Sequence, residues 1–109
     1  MYTYDAATGT VGTPKTVING MRQGGGHQSR TLLIPQANPN LLLVSRGSND
    51  NVDAQTAQVG SGRSQIRYWD ITKFTGAAQD YSSTGTVLGW GLRNSVGVGE
   101  NPVDGGIVS

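Results

Sequence analysis

The sequence predicts an all-β fold. Its 109 residues include 17 glycines and only 35% hydrophobic residues, a composition typical of short strands joined by turns. Val, Ile, Leu and Thr cluster between the glycines, which favours strands over a disordered chain. No apolar spacing with the helical period competes with them. We therefore expect antiparallel strands connected by glycine-rich loops.

Six short segments of β-type residues are each bounded by Gly, Asn, Asp or Pro. They are residues 15–18, 30–34, 41–45, 65–69, 85–88 and 107–108. Between the second and third lies Pro35-Gln36-Ala37-Asn38-Pro39-Asn40, whose prolines fix φ and whose asparagines accept turn conformations. The sequence therefore predicts that the second and third strands form an antiparallel hairpin.

Two polar stretches interrupt the strands. Residues 46–64 are rich in Gly, Ser, Asn, Asp and Gln, and loops of this length are more often functional than structural. Residues 72–83 are also polar and predict a turn rather than a helix. Regularly spaced short strands suggest a sandwich, a barrel or a propeller, and a four-stranded propeller blade takes roughly 40 to 50 residues. In a propeller, this chain holds about two blades.

Charge and residue usage exclude several functions. The formal net charge is +1 with 14% charged residues, so the basic field needed for nucleic acid or anionic membranes is missing. Without cysteine there is no disulfide framework, thiolate metal site or Cys nucleophile. The longest apolar runs are strand-sized, so no membrane span is expected, and the N-terminal residues do not resemble a signal peptide.

His27 is the single histidine, and it follows the three glycines Gly24, Gly25 and Gly26 just before a predicted strand. Glycines allow a close approach of the backbone to another group. Since the unperturbed pKa of histidine is ~6.5, such a residue is able to act as a general base near neutral pH. Taken alone, however, a histidine beside a glycine turn is more often a structural residue.

The second cluster is Gly89-Trp90-Gly91-Leu92-Arg93-Asn94-Ser95. It pairs a planar guanidinium donor with an amide that donates and accepts, which suits an oxygen-rich anionic ligand. The alternative is an arginine that crosses a loop and an asparagine that completes a turn. The loop acids Asp50, Asp53, Glu100 and Asp104 lack the spacing of a calcium loop, so we interpret them as turn-forming, solvated groups and predict no metal ligand in this chain.

Together and in this order, the two clusters resemble the pyrroloquinoline quinone (PQQ)-dependent sugar dehydrogenases, most closely the fungal pyranose and sorbosone dehydrogenase branch. The resemblance covers nearly the whole chain, and three stretches carry it: residues 25–35, residues 41–51 and residues 89–97.

This resemblance implies a six-bladed β-propeller with PQQ and calcium over its central channel. His27 occupies the place of the general base that takes the proton of a sugar hydroxyl while hydride passes to the quinone. Arg93 matches the arginine that polarises the quinone carbonyl, and Asn94 matches a cofactor contact. Arg46, Ser48 and Asn49 fall where family members place residues near the cofactor or the substrate rim.

The resemblance also implies limits. In the family, calcium is held by a loop that follows the strand matching residues 105–109, so its ligands are expected beyond the chain end. We therefore expect residues 1–109 to be a partial propeller domain, a fragment that is inactive in isolation. The expected partners are a sugar and an external electron acceptor, and the expected location is extracellular.

Two alternatives from other functional classes remain open. One is a noncatalytic β-propeller that retains the framework and has lost the reaction. The other is a small carbohydrate-binding β module that uses Trp69, Tyr81 and Trp90 as stacking platforms for sugars.

Overall fold

The computed structural model describes residues 1–21 and 25–109, and the fold within these ranges is all-β. The described strands are β1 (Tyr4–Asp5), β2 (Thr10–Val11), β3 (Ile18–Asn19), β4 (Leu32–Leu33), β5 (Leu41–Arg46), β6 (Gln65–Asp70), β7 (Gln79–Asp80), β8 (Thr86–Trp90), β9 (Gly99–Glu100) and β10 (Ile107–Val108). Single 3-10 turns occupy Ala54–Ala57, Val59–Ser61 and Ile71–Lys73. The predicted all-β class is confirmed.

The centre of the fold is a four-stranded antiparallel sheet with the order β4-β5-β6-β8. Strands β5 and β6 pair over their whole length, from Leu41 opposite Asp70 to Arg46 opposite Gln65. Strand β4 pairs with β5 through the predicted turn at residues 35–40, so the hairpin prediction is also confirmed. Because the strands are antiparallel, the segments that precede β4, follow β5, precede β6 and follow β8 meet at one end of the sheet.

The remaining described strands pair in twos. Strands β1 and β2 form an antiparallel hairpin, as do β9 and β10. Strand β3, however, pairs with β7 in parallel, with Ile18 opposite Gln79. The expectation of purely antiparallel pairing is wrong at this point. Parallel strands require a long crossover connection, and here the strands β4, β5 and β6 lie in the chain between the two partners.

The buried core lies between the large sheet and the β3–β7 pair. Val44, Trp69 and Tyr81 form it, and four partly buried residues pack around them: Ile18, Met21, Leu42 and Phe74. The rings of Trp69 and Tyr81 lie 5.5 Å apart at 46°. The Tyr81 hydroxyl faces the backbone carbonyls of Val44 and Gln65 at 3.2 and 3.0 Å, and burial raises the pKa of this phenol.

This core removes two of the three aromatic platforms proposed for a carbohydrate-binding module. Trp69 is 5% exposed and Tyr81 is fully buried, so neither ring is available to a sugar. Trp90 is about half exposed. This alternative therefore keeps one of its three platforms, because Trp69 and Tyr81 pack against each other in the core.

Strand limits differ from the sequence prediction in a consistent way. The predicted strands at 41–45 and 65–69 agree with β5 and β6 within one residue, and the one at 85–88 agrees with β8 within two. The predicted strand at 15–18 overlaps β3 only at Ile18, and the one at 30–34 shortens to the two residues of β4. Strands β1, β2, β7 and β9 are too short to leave a periodic pattern and were not predicted. No helix in the part of the chain that the structure describes has the length and apolarity of a membrane span.

Candidate functional site

Four segments converge at one end of the β4-β5-β6-β8 sheet. His27 precedes β4, the loop from Gly47 follows β5, Ser64 precedes β6, and the Arg93-Asn94 step follows β8. The antiparallel order of the sheet brings them together although they are up to 67 residues apart in sequence. The structure therefore places the two clusters singled out in the sequence next to one another. Gly24, the first of the three glycines before His27, lies outside the described residues.

Ser48 connects these segments. Its hydroxyl oxygen lies 2.6 Å from Nδ1 of His27 and donates to the backbone carbonyl of Asp50 at 2.8 Å. Its backbone N–H donates to the carbonyl oxygen of Arg93 at 2.6 Å. Ser48 is buried, with 3% of its surface exposed, so these contacts are shielded from solvent. One small residue thus holds His27 and the backbone of Arg93 in a common frame.

Arg93 has a backbone conformation that its type rarely adopts, with φ of +44°. Its carbonyl oxygen accepts two hydrogen bonds, from Ser48 N–H and from the Ser64 hydroxyl at 3.2 Å. Ser64 is itself left-handed at φ +55°, and its carbonyl accepts the N–H groups of Gly91 and Leu92. Strained backbone persists where surrounding contacts hold it in place, and it is common at functional sites.

The guanidinium of Arg93 lies on the exposed surface of this end of the sheet. Its Nη2 donates to the side-chain oxygen of Asn51 at 3.1 Å. Arginine carries five N–H donors, so one bond to a neutral amide leaves donor capacity for a ligand. The Arg93 guanidinium thus places a positive charge at the rim of the site. Among the described residues, no carboxylate forms an ion pair with it.

Gly47 and Asn94 are in close contact behind this rim. A Cβ atom on Gly47 would overlap the side-chain oxygen of Asn94 and lie 3.0 Å from Cβ of His27 and 3.2 Å from the Arg93 carbonyl. Only glycine permits this approach. The same Asn94 oxygen is buried and has no hydrogen-bond partner among the described residues. Buried acceptors without partners are uncommon, so this oxygen marks a place where a donor is missing.

Asp53 organises the long loop at residues 46–64. Its carboxylate accepts the N–H of Asn49 at 2.6 Å and of Gln55 at 3.1 Å, and pairs with Arg63 at 2.7 Å. Burial opposes ionisation, but these bonds together outweigh it and hold the pKa of Asp53 below its usual value. Only 6% of this side chain is exposed, so our description of Asp53 as a solvated group is wrong.

The structure gives less support for Asn49 and Arg46, the two other residues proposed as cofactor contacts. Asn49 is half-buried in this loop, where its N–H bonds to Asp53. Arg46 is the last residue of β5 and is buried, with 6% of its surface exposed. Its guanidinium donates to the carbonyl oxygen of Ser61 at 3.4 Å. Burial and the nearby charge of Arg30 lower its pKa. Within the described part of the chain, no hydrogen bond joins the Arg46 side chain to His27.

Arg30 lies close to His27 in sequence and braces the backbone there. Its guanidinium donates to the carbonyl oxygens of His27 at 3.3 Å and Ser29 at 2.7 Å. The segment between the glycines and β4 is thereby folded back on itself. This contact fixes the backbone at His27 and leaves the imidazole to be held by Ser48.

A small polar pocket of about 210 Å³ opens at this end of the sheet. Its walls are formed by residues of the long loop and of the Arg93 segment: Ser48, Asp50, Asn51, Asp53, Thr56, Ser64, Gly91 and Arg93. Ligand pockets usually measure roughly 300 to 1,000 Å³, so this one holds part of a ligand at most. Its lining combines hydroxyl, carboxylate, amide and guanidinium groups, which are the partners that a polyhydroxylated molecule needs.

A larger cavity of about 680 Å³ lies at the opposite end, between the turn at residues 35–40 and the β9–β10 hairpin. Its most prominent acid is Glu100, whose two carboxylate oxygens accept the N–H groups of Gln36 and Ala37. Glu100 is partly exposed, so it is solvated as predicted, and its two bonds also cross-link two chain segments. None of the predicted site residues lines this cavity. Arg93 alone of them lines the smaller pocket, together with Ser48, which contacts His27, so we assign the site to that pocket.

Several residues of the site were not identified as such from the sequence. Asn51 and Ser64 carry no motif, and Asp53 was assigned to a turn. The available signal was the long polar loop itself, which contains or adjoins all three residues. Across the described ranges, no three His, Asp or Glu side chains gather in a way that would hold a metal ion.

Comparison with known proteins identifies the family of this chain. The TrAA12-like family matches residues 1–109, so the chain belongs to that family. A PQQ-dependent sugar dehydrogenase of Hypocrea jecorina (strain QM6a) is 50% identical over 99% of this chain and 26% of that protein. A PQQ-dependent pyranose dehydrogenase of Coprinopsis cinerea is 40% identical over 90% of this chain and 14% of that protein.

Solved structures give the same result. The calcium structure of the Trichoderma reesei carbohydrate-active enzyme family AA12 protein is 50% identical, with a TM-score of 0.87 over 97% of this chain. The holo form of the Coprinopsis cinerea pyranose dehydrogenase PQQ domain is 40% identical, with a TM-score of 0.82 over 91%. The chain spans 27% and 24% of these two structures, about a quarter of each.

Proposed function

We propose that this chain forms part of a PQQ-dependent oxidoreductase that oxidises a sugar by hydride transfer, with His27 as the general base. The observation that carries the proposal is the convergence of His27 with the backbone of Arg93 through Ser48, with the Asn94 side chain beside the neighbouring Gly47. The names of relatives at 50% and 40% identity support the substrate and cofactor class. We further propose that the β4-β5-β6-β8 sheet is one blade of a six-bladed propeller and that residues 1–109 are a partial propeller domain.

In this proposal, His27 takes the proton of the sugar hydroxyl at a ring nitrogen. A base positioned within hydrogen-bond reach of the reacting proton contributes roughly 10²- to 10⁴-fold to a rate. The contact with Ser48 supports the role because it holds the imidazole plane and leaves the far ring nitrogen to face a substrate. PQQ, when bound, supplies the two-electron acceptor that receives the hydride.

Arg93 provides the positive charge of the proposed site. A fixed cationic donor stabilises negative charge that develops near it, because it needs no reorganisation when the charge appears. The left-handed backbone and the two bonds to its carbonyl support this role, since they determine where the side chain leaves the loop. The bond to Asn51 keeps the guanidinium at the rim of the polar pocket.

The residues present fit a flat, oxygen-rich and anionic cofactor. The side-chain oxygen of Asn94 is buried without a hydrogen-bond partner among the described residues, and the NH2 group of the same amide is the donor that an oxygen of the cofactor would need. Arg93 offers further donors beside it. We propose Arg46 and Asn49 as additional cofactor contacts from the other wall, on the strength of the resemblance.

Calcium has no assigned role in these residues, because the described acids serve as loop braces and do not converge. The calcium-binding loop, the external electron acceptor and the extracellular location remain predictions made from the resemblance. The size of the polar pocket supports a site completed by other blades, since about 210 Å³ is too small for a sugar together with a tricyclic cofactor.

The test is sugar oxidation by the PQQ-loaded full-length protein that contains residues 1–109, compared with its His27→Ala and His27→Gln variants, because the resemblance implies that these residues are inactive in isolation. Glutamine keeps a donor for Ser48 but takes no proton, so it separates a catalytic from a structural role. We expect both variants to lose about 10²-fold or more in kcat while PQQ affinity, measured by fluorescence titration, stays within about threefold. Activity retained by His27→Gln would refute the base assignment. Binding of PQQ and sugar without any turnover in the unmodified protein would favour the noncatalytic alternative.

A further inference from the structure

The contacts of Ser48 determine which ring nitrogen of His27 carries the proton. Neutral histidine has one N–H donor and one acceptor nitrogen, and the partner of one nitrogen decides the role of the other. Nδ1 of His27 lies 2.6 Å from the Ser48 hydroxyl oxygen. That hydroxyl has a single proton, so its remaining contacts decide whether it donates to His27 or accepts from it.

The backbone carbonyl of Asp50 lies 2.8 Å from the same hydroxyl oxygen. A carbonyl only accepts, so this contact requires the Ser48 proton. The hydroxyl oxygen then has only lone pairs to offer to His27, and Nδ1 must be the donor. The opposite assignment would direct the proton to Nδ1 and leave the lone pairs of two oxygens facing each other at 2.8 Å with no proton between them, which is the costlier arrangement.

We propose that Ser48 is a positioning residue that holds His27 in the Nδ1–H tautomer, so that Nε2 carries the free lone pair. Only this tautomer presents an acceptor nitrogen on the ring edge away from Ser48. The alternative tautomer would turn an N–H toward the substrate and abolish the base. The inference deepens the proposed function, and its relevance to catalysis rests on that proposal.

Ser48 is itself held firmly enough to act in this way. Its N–H donates to the Arg93 carbonyl at 2.6 Å, and the residue is 3% exposed. The adjacent Gly47 lies against His27 and Arg93 with no room for a side chain. The bond from the Ser48 N–H to Arg93 fixes the backbone that carries the hydroxyl, and a side-chain substitution leaves this bond intact. Ser48→Ala is therefore expected to remove the tautomer selection while preserving the loop.

The experiment is a long-range ¹H–¹⁵N correlation spectrum of the folded protein labelled with ¹⁵N-histidine, recorded near pH 8.5 where a free imidazole is neutral. The two tautomers give opposite ¹⁵N shifts and coupling patterns at Nδ1 and Nε2. His27 is the single histidine of this chain, which identifies its signals directly. Dispersed amide signals in the same sample establish that the fold is present.

We expect the unmodified protein to populate mainly the Nδ1–H form. Ser48→Ala should lower the ratio of Nδ1–H to Nε2–H by about fivefold, which is the effect of losing one net hydrogen bond. The matched control is Ser45→Ala, three residues earlier, because Ser45 is also buried and bonded to Thr31 and Ser95 but does not touch His27. It should leave the ratio unchanged.

A mainly Nε2–H imidazole in the unmodified protein would overturn the inference even if no variant folds. An unchanged ratio in Ser48→Ala, or an equal shift in Ser45→Ala, would also overturn it. In the PQQ-loaded enzyme, kcat of Ser48→Ala should fall by the same factor as the Nδ1–H population, with KM little changed. A shifted tautomer without a change in kcat would instead refute His27 as the base and leave the tautomer assignment standing.

Discussion

Replacement of Gly47 by alanine tests whether the two halves of the site meet as closely as the structure indicates. The new Cβ would overlap the Asn94 oxygen and lie 3.0 Å from His27 Cβ and 3.2 Å from the Arg93 carbonyl. The Asn94 side chain is able to rotate away. The other two neighbours move only with their backbone, by several tenths of an ångström to reach ordinary contact at 3.4 Å. Overpacking of this kind typically costs about 1 to 3 kcal/mol.

The assay is equilibrium urea unfolding of the protein, with Gly60→Ala as the matched control. Gly60 lies in the same loop, and a Cβ atom there meets nothing within 4 Å. We expect Gly47→Ala to lower the free energy of unfolding by about 1 to 3 kcal/mol. Gly60→Ala should change it by less than about 1 kcal/mol. Equal stability of the two variants would show that the loop after β5 does not press against His27 and Arg93, and the description of the site would be wrong.

Four further substitutions test the core and the loop. Tyr81→Phe removes a buried hydroxyl that donates to strand carbonyls and should cost about 1 kcal/mol in urea unfolding, whereas a neutral effect would contradict the assigned bond. Trp69→Ala should cost about 3 to 5 kcal/mol. The half-exposed Trp90→Ala should cost clearly less, and similar melting temperatures for the two would contradict the core assignment. The lowered pKa of Asp53 gives a contribution to stability that is complete above the unfolded pKa of about 4 and is lost as pH falls through the folded value. Asp53→Asn should therefore destabilise the protein at pH 7 and much less at pH 3 in thermal unfolding; a gap independent of pH would count against the Arg63 and loop contacts.

The elements that the sequence predicts well are those with enough residues to show a pattern. Strands β5 and β6 each contain six residues, and their β-branched and aromatic content identifies them within one residue of their limits. The turn at residues 35–40 is marked by prolines and asparagines, which restrict the backbone locally. The long polar loop was also identified, because its composition excludes a strand or a helix.

The sequence does not predict which distant short segments pair with each other. Strands β3 and β7 are two residues each and pair in parallel across about sixty residues of chain, and nothing in either segment specifies the other. The burial of Tyr81 follows from that pairing, since β7 delivers it to the face of the sheet. Its position in a polar stretch gave no indication that it forms the centre of the core.

By itself, the sequence determined the all-β class and the candidate status of His27, Arg93 and Asn94, because residue type and local backbone preference are properties of the chain. The tertiary structure alone decided their contacts. The antiparallel order of one sheet brings their segments to the same end, and Ser48 joins them there. The direction of a hydrogen bond and the left-handed backbone of Arg93 depend on neighbours far away in sequence, so they emerge only when the strands are paired.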